Sequence, residues 1–294
     1  MQTNHHFTQH LNRRTFLSAA LATPALAAVL ASCGKDNKAA GNSIKHATGR
    51  EDLVLRVGFE GGFTAPQSQF ARVPTLLISG DGRAIAAGAQ TEQYPGRLLP
   101  ALNERSITEA GIQRVLELAE ASKLLQPPPD YSAEMNVADA PDTVLILSAN
   151  GQTYTHRAYA LGMGTPETTP ARKALADFVA AVSDLAAVAG AANLGTEMTL
   201  VADSYRLQAT AVTDADLADY DQTIPPVKVA WPADAGVSLS SASTCAVASA
   251  AKVDAVLKAA TQLTFFTEAD AIYQVAAVAK LPGDRCEPNP TITS

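Results

Sequence analysis

"TVLILSANGQTYTHRAYAL", residues 143–161, joins two strand-like runs through Asn150-Gly151. Glycine accepts positive φ without steric cost, and Asn-Gly is a preferred two-residue hairpin turn. So short a connection has no room for a crossover helix, and the two runs pair antiparallel. The same logic extends upstream to "PTLLISGDGRAIAAG", residues 74–88, which reads as two strands turning at Asp81-Gly82. Earlier still, "DLVLRVGFEGGF", residues 52–63, alternates as a strand with Leu53, Leu55 and Val57 expected inward, until Gly58, Gly61 and Gly62 loosen it.

Helices fill the spaces between these hairpins. "SITE", Ser106 to Glu109, has the form of a capping box and opens a helix whose stripe is Ile112, Val115, Leu116 and Ala119. "QPPPDY", residues 126–131, ends it. After the hairpin, Thr169 and Pro170 start a second helix with Leu175, Phe178, Val179 and Val182 on its apolar face, ending near Gly190. This hairpin, helix, hairpin, helix order predicts an α+β class, with antiparallel hairpins packed on amphipathic helices. It argues against a doubly wound nucleotide-binding sheet. A small-residue stretch at 190–198 precedes strands in "TLVADSYRLQATAV" and "VKVAW", a helix around Val253, Val256, Leu257 and Ala260, and a final hairpin in "TFFTEADAIYQVAAVAKL". The expected organisation is a first α+β unit at 51–190 and a second at 199–288, either as two similar-sized subdomains or on one shared sheet.

The first fifty residues read as an address rather than as fold. Arg13 and Arg14 precede Phe16 to Ala31, sixteen residues without a charge and interrupted by Pro24. That is the layout of a signal peptide over residues 1–32. It falls short of the roughly twenty apolar residues of a spanning helix. The paired arginines followed by Thr15, Phe16 and Leu17 look like a twin-arginine export signal, with the general export route as the alternative. The run ends in "LASC", Leu30 to Cys33, which resembles a lipobox. Cys33 is then the expected lipidation site, and residues 33–50 a flexible tether holding the protein at a membrane surface through its acyl chains.

Removing residues 1–32 leaves 20 basic against 29 acidic residues, a formal charge of −9. An acidic chain with no Lys/Arg cluster is a poor partner for nucleic acid, where phosphate contacts dominate affinity. Outside the cytoplasm the two remaining cysteines, Cys245 and Cys286, are expected to pair. Their bond would close a loop of about forty residues, which the chain-entropy treatment values at roughly 4 kcal/mol. No His or third Cys lies near them in sequence, so metal binding is not expected, nor is a cofactor.

"TCAVASAAKVDAVLKAATQLTFFTEADAIYQVAAVAKLPGDRC", residues 244–286, together with "LVLRVGFEGGF" and "LLISGDGRAIAAG", resembles a group of uncharacterised actinobacterial envelope lipoproteins. The resemblance covers most of the chain after Cys33. It implies a location and an architecture, and it carries no catalytic residue to transfer.

Candidate chemistry within the folded region is sparse. His156 is the one histidine outside the signal and tether, where His5, His6, His10 and His46 lie. Alternation places it on the face of Tyr154, opposite Thr155 and Arg157. A general base needs a nucleophile within reach, and no Gly-x-Ser-x-Gly or similar motif marks one. "DADLADYD", residues 214–221, gathers carboxylates but lacks the sixth-position Gly and twelfth-position Glu of a calcium loop; a solvated or helical loop is expected. "GMGTPE", residues 162–167, mimics a phosphate loop but lacks its third Gly. Trp231, Tyr205 and Tyr220 are the only candidates for a sugar-stacking face, with core packing the plainer expectation. The reading is a lipid-anchored extracytoplasmic protein whose partner is an envelope protein or wall component. Its alternatives are an envelope hydrolase using His156 or a carboxylate pair, and a solute-binding lipoprotein of a transporter.

Overall fold

A computed structural model describes residues 43–132, 137–163, 167, 169–221 and 223–286. Arg13, Arg14 and Cys33 lie outside the described residues. In chain order the elements are β1 (Leu53–Gly61), α1 (Pro66–Phe70), β2 (Leu76–Ser79), β3 (Arg83–Ala87), β4 (Leu102–Ser106), α2 (Glu109–Ala121), β5 (Pro141–Ala149), β6 (Gln152–Tyr159), α3 (Pro170–Ser183), α4 (Leu185–Ala189), β7 (Met198–Thr199), β8 (Ser204–Val212), α5 (Asp214–Ala218), β9 (Val227–Ala230), β10 (Ala246–Ser249), α6 (Ala250–Ala259), β11 (Thr264–Glu268) and β12 (Ala271–Ala279). They build two sheets, one ordered β6-β5-β1-β2-β3-β4-β7 and one ordered β10-β8-β12-β11-β9. Every pairing is antiparallel except β9 with β11. The class is α+β, as the hairpin turns require.

Both predicted turns form where the glycines allow them. At Asn150-Gly151 φ is 54° and then 75°, so β5 and β6 pair in register from Ala149↔Gln152 to Asp142↔Tyr159. The turn also clasps the incoming chain, since Lys45 N donates to Asn150 Oδ1 at 3.1 Å and Asn150 N donates to the Lys45 carbonyl at 2.6 Å. Ile44, only 5% exposed, joins the core beside α2. The fold therefore takes in Ile44 and the Lys45 backbone, which the sequence places with the tether. Gly80 is needed for the same reason, because an added Cβ would land against the Ala47 carbonyl.

One face of the seven-stranded sheet is covered by α2, α3 and α4. Val54, Leu55, Val57, Leu76, Ile78, Leu145 and Leu147 meet Ile112, Val115, Leu116, Leu175, Phe178 and Val182 in a single apolar cluster. The expected inward set on β1 is corrected here. A register shift between Leu53 and Leu55 turns Val54 and Leu55 together into this core and sends Leu53 to the second one. The cap of α2 also moves. Because β4 stays paired with β3 through Ser106, the helix starts at Glu109, and Thr108 Oγ1 accepts from Gly111 N at 3.2 Å. The following helix is broken at Asp184, whose side chain caps α4.

A second cluster takes Leu77, Ile85 and Leu102 from the first sheet with Leu207, Ala209, Val275, Ala277 and Phe266 of the second, and Val253 and Leu257 of α6. Residues of both sheets thus share one core. β7 crosses the expected 190–198 boundary to pair with β4. Asp284 adds a polar tie, accepting Arg56 of β1 at 2.7 Å and standing 3.3 Å from Arg206 of β8.

Candidate functional site

His156 lies on β6 with its side chain under the segment that leaves α2, and it is fully buried. Its Nε2 is 2.8 Å from the Leu124 carbonyl, and its Nδ1 is 2.7 Å from Tyr131 Oη. A carbonyl oxygen only accepts, so Nε2 carries the proton, Nδ1 accepts, and the tyrosine hydroxyl donates. Burial pushes the imidazole below its ordinary value of 6.5, against an upward pull from the Leu124 bond. Burial likewise pushes the Tyr131 phenol up to about 12. Both groups are neutral at physiological pH, both imidazole nitrogens are occupied, and the one hydroxyl proton of Tyr131 is committed to Nδ1.

Arg172 stands beside this pair, only 1% exposed. Its Nε and Nη2 reach the two carboxylate oxygens of Glu167, Nη1 donates to the Tyr131 carbonyl at 2.9 Å, and Nη2 donates to the Tyr159 carbonyl at 3.1 Å. Burial raises the Glu167 carboxyl, but hydrogen bonds from Arg172 and from Gly162 N–H outweigh it and hold the group below the usual range. "GMGTPE" thus places a carboxylate for an arginine rather than a bed for phosphate, although residues 164–166 lie outside the described set. The arrangement is an ion pair with its polar atoms satisfied inside the fold.

Sequence reasoning found His156 and missed Tyr131, Glu167 and Arg172. The signal for Arg172 was present: it precedes Leu175, Phe178 and Val182 at helical spacing, so the stripe itself carries a guanidinium into the core. A buried arginine demands a carboxylate, and Glu167 is the nearest upstream.

The other candidates resolve differently. Cys245 and Cys286 are brought together at disulfide distance, with Cα atoms 5.2 Å apart. Trp231 is 6% exposed, donates through Nε1 to the Val237 carbonyl at 2.9 Å and stacks edge-on with Phe266. Tyr205 is buried with its hydroxyl donating to Asp254, and Tyr220 packs edge-on with Phe265. Trp231 and Tyr205 are core, and half-buried Tyr220 packs against it, so the three do not form a sugar platform. The 214–221 stretch opens with the short α5, Asp214–Ala218, with Thr213 and Asp216 capping one another, and ends at Asp221, which accepts from Thr223. Among the described residues, no group of three or more His, Cys, Asp or Glu is placed to hold a metal ion, and no helix is long and apolar enough to cross a membrane.

What the fold and site define is an α+β protein whose buried histidine and arginine secure one surface loop. Set against known protein families, curated proteins and solved structures, the chain matches none.

Proposed function

We propose that this protein is a lipid-anchored extracytoplasmic lipoprotein with a non-catalytic binding role in the cell envelope. The observation that carries the reading is the cysteine pair. Two thiols far apart in sequence stand 5.2 Å apart at Cα, an arrangement suited to an oxidising compartment. The signal-like residues 1–32, the lipobox form of "LASC" and the resemblance to envelope lipoproteins support the anchor. A binding role draws support from His156, whose ring nitrogens are both committed to holding the chain. A hydrolase built on that imidazole would have to break the Leu124 or Tyr131 bond first. A transporter's solute-binding lipoprotein normally repeats parallel strand-helix units, whereas the only parallel pair among the described strands is β9 with β11.

The test is metabolic labelling with a fatty-acid analogue and detergent phase separation of wild type and Cys33→Ala. Wild type should carry the label and enter the detergent phase, and the variant should lose both properties. A variant that is still labelled, or still membrane-bound, removes the anchor.

A further inference from the structure

Gln126 to Asp130 are five consecutive exposed residues between buried Leu124 and buried Tyr131, with Leu125 half-buried. Both ends of this loop are tied to one imidazole, through the Leu124 carbonyl at 2.8 Å and the Tyr131 hydroxyl at 2.7 Å. The Tyr131 carbonyl is held a second time by Arg172. Between the clamps stand Pro127, Pro128 and Pro129, joined by trans peptide bonds. Each proline fixes its own φ near −65°, and each residue before a proline is driven out of the helical region. Gln126, Pro127 and Pro128 are thereby restricted to extended, polyproline-type backbone.

This geometry selects its reader. Three residues without N–H groups cannot extend the edge of a sheet as an added strand. They offer carbonyl acceptors and flat ring faces instead, which aromatic-lined grooves recognise. Beside the run lies a depression of about 440 Å³, walled by Pro127, Pro129 and Tyr131 on one side and by Pro170, Ala171 and Ala174 of α3 on the other. It has room for an aromatic side chain. Because the ends are already fixed, little further ordering is lost on docking.

We propose that the Gln126–Asp130 loop is a preformed polyproline ligand, docked by a partner protein whose aromatic-lined groove stacks a Trp or Tyr ring against the prolines and into the adjoining depression. This rests on the binding role proposed above and names the surface and the partner's chemistry.

The experiment places a photo-crosslinking amino acid at Gln126 of the full chain in intact cells, with soluble oligoproline as competitor and a Gly/Ser peptide of equal length as control. The expected result is one adduct with a second protein, attached among its aromatic residues. Excess oligoproline should compete the adduct away, and the control peptide should leave it unchanged. Pro127→Ala/Pro128→Ala/Pro129→Ala should lose the adduct while keeping the native near-ultraviolet circular dichroism. Tyr131→Phe, with the prolines intact and one clamp removed, should weaken it. An adduct indifferent to oligoproline, an adduct with a second copy of this chain or with wall polymer, or no adduct would overturn the proposal. Labelling at Cys33 is read separately, so loss of the loop interaction with the anchor intact defeats only the present inference.

Discussion

Neutral His156 donates through Nε2 and accepts through Nδ1, and protonation would direct a second N–H at the Tyr131 hydroxyl, which now donates to it. The native imidazole therefore takes up its proton at lower pH than the unfolded chain, whose histidine titrates near 6.5. Stability from this group is complete above about pH 6.5 and is lost as acid approaches the depressed native value. Urea midpoints should fall between pH 7.5 and 5, ahead of the carboxylate range, and that slope should flatten in His156→Gln; an unchanged slope would remove the assignment. Glu167 acts through charge. Glu167→Gln leaves Arg172 buried without its counter-ion, and removing one partner of such a pair costs about 3–5 kcal/mol. Denaturant melts should show a loss of that order. A Glu167→Leu/Arg172→Leu double variant should recover part of it, but not all, because the Tyr131 and Tyr159 carbonyls lose their donor. Arg172 was legible as a charge on an apolar stripe. Tyr131 was not, since nothing local announces that a residue after three prolines returns to the core.

At the scale of single elements, pattern and turn chemistry carried most of the information. The stripe of α2 is buried throughout, and in α3 Leu175, Phe178 and Val182 are buried with Val179 packed beside them. Thr169 Oγ1 caps α3 by accepting from Arg172 N at 3.2 Å, so Thr169→Ala should cost about 1 kcal/mol in thermal or urea unfolding. The same truncation at Ser106, the capping position expected from sequence, should cost no helix cap, because Thr108 holds that place. The displaced cap and the unforeseen β4 have one cause. "LNERS" is polar and shows no apolar alternation, and only its pairing with β3 keeps it extended. β10 is similarly short and is defined by its partner β8. The shift in β1 belongs here too: strict alternation assigns Leu53 and Leu55 to one face, and a single irregularity in register separates them.

For the molecule as a whole, the two sheets are tied by the shared core around Leu77, Ile85 and Leu102 and by Asp284 between Arg56 and Arg206. The Cys245–Cys286 pair encloses β10, α6, β11 and β12, a separation of 41 residues. Cys245→Ser/Cys286→Ser should therefore lower stability by roughly 4 kcal/mol, and a reductant should shift the wild-type melting temperature in the same direction. Wild-type and reduced protein melting together would show that the thiols are unpaired. The sequence by itself determined the α+β class, the hairpin turns, the helix stripes and the cysteine partnership, because each rests on local φ preference, periodicity or a short roster of cysteines. Only the tertiary structure decided that β7 returns to the first sheet, that Ile44 packs into the core, and that His156, Tyr131 and Arg172 join to clamp an exposed triproline loop. Those outcomes depend on contacts between residues tens of positions apart, where no local preference acts and burial of shared surface chooses the partner.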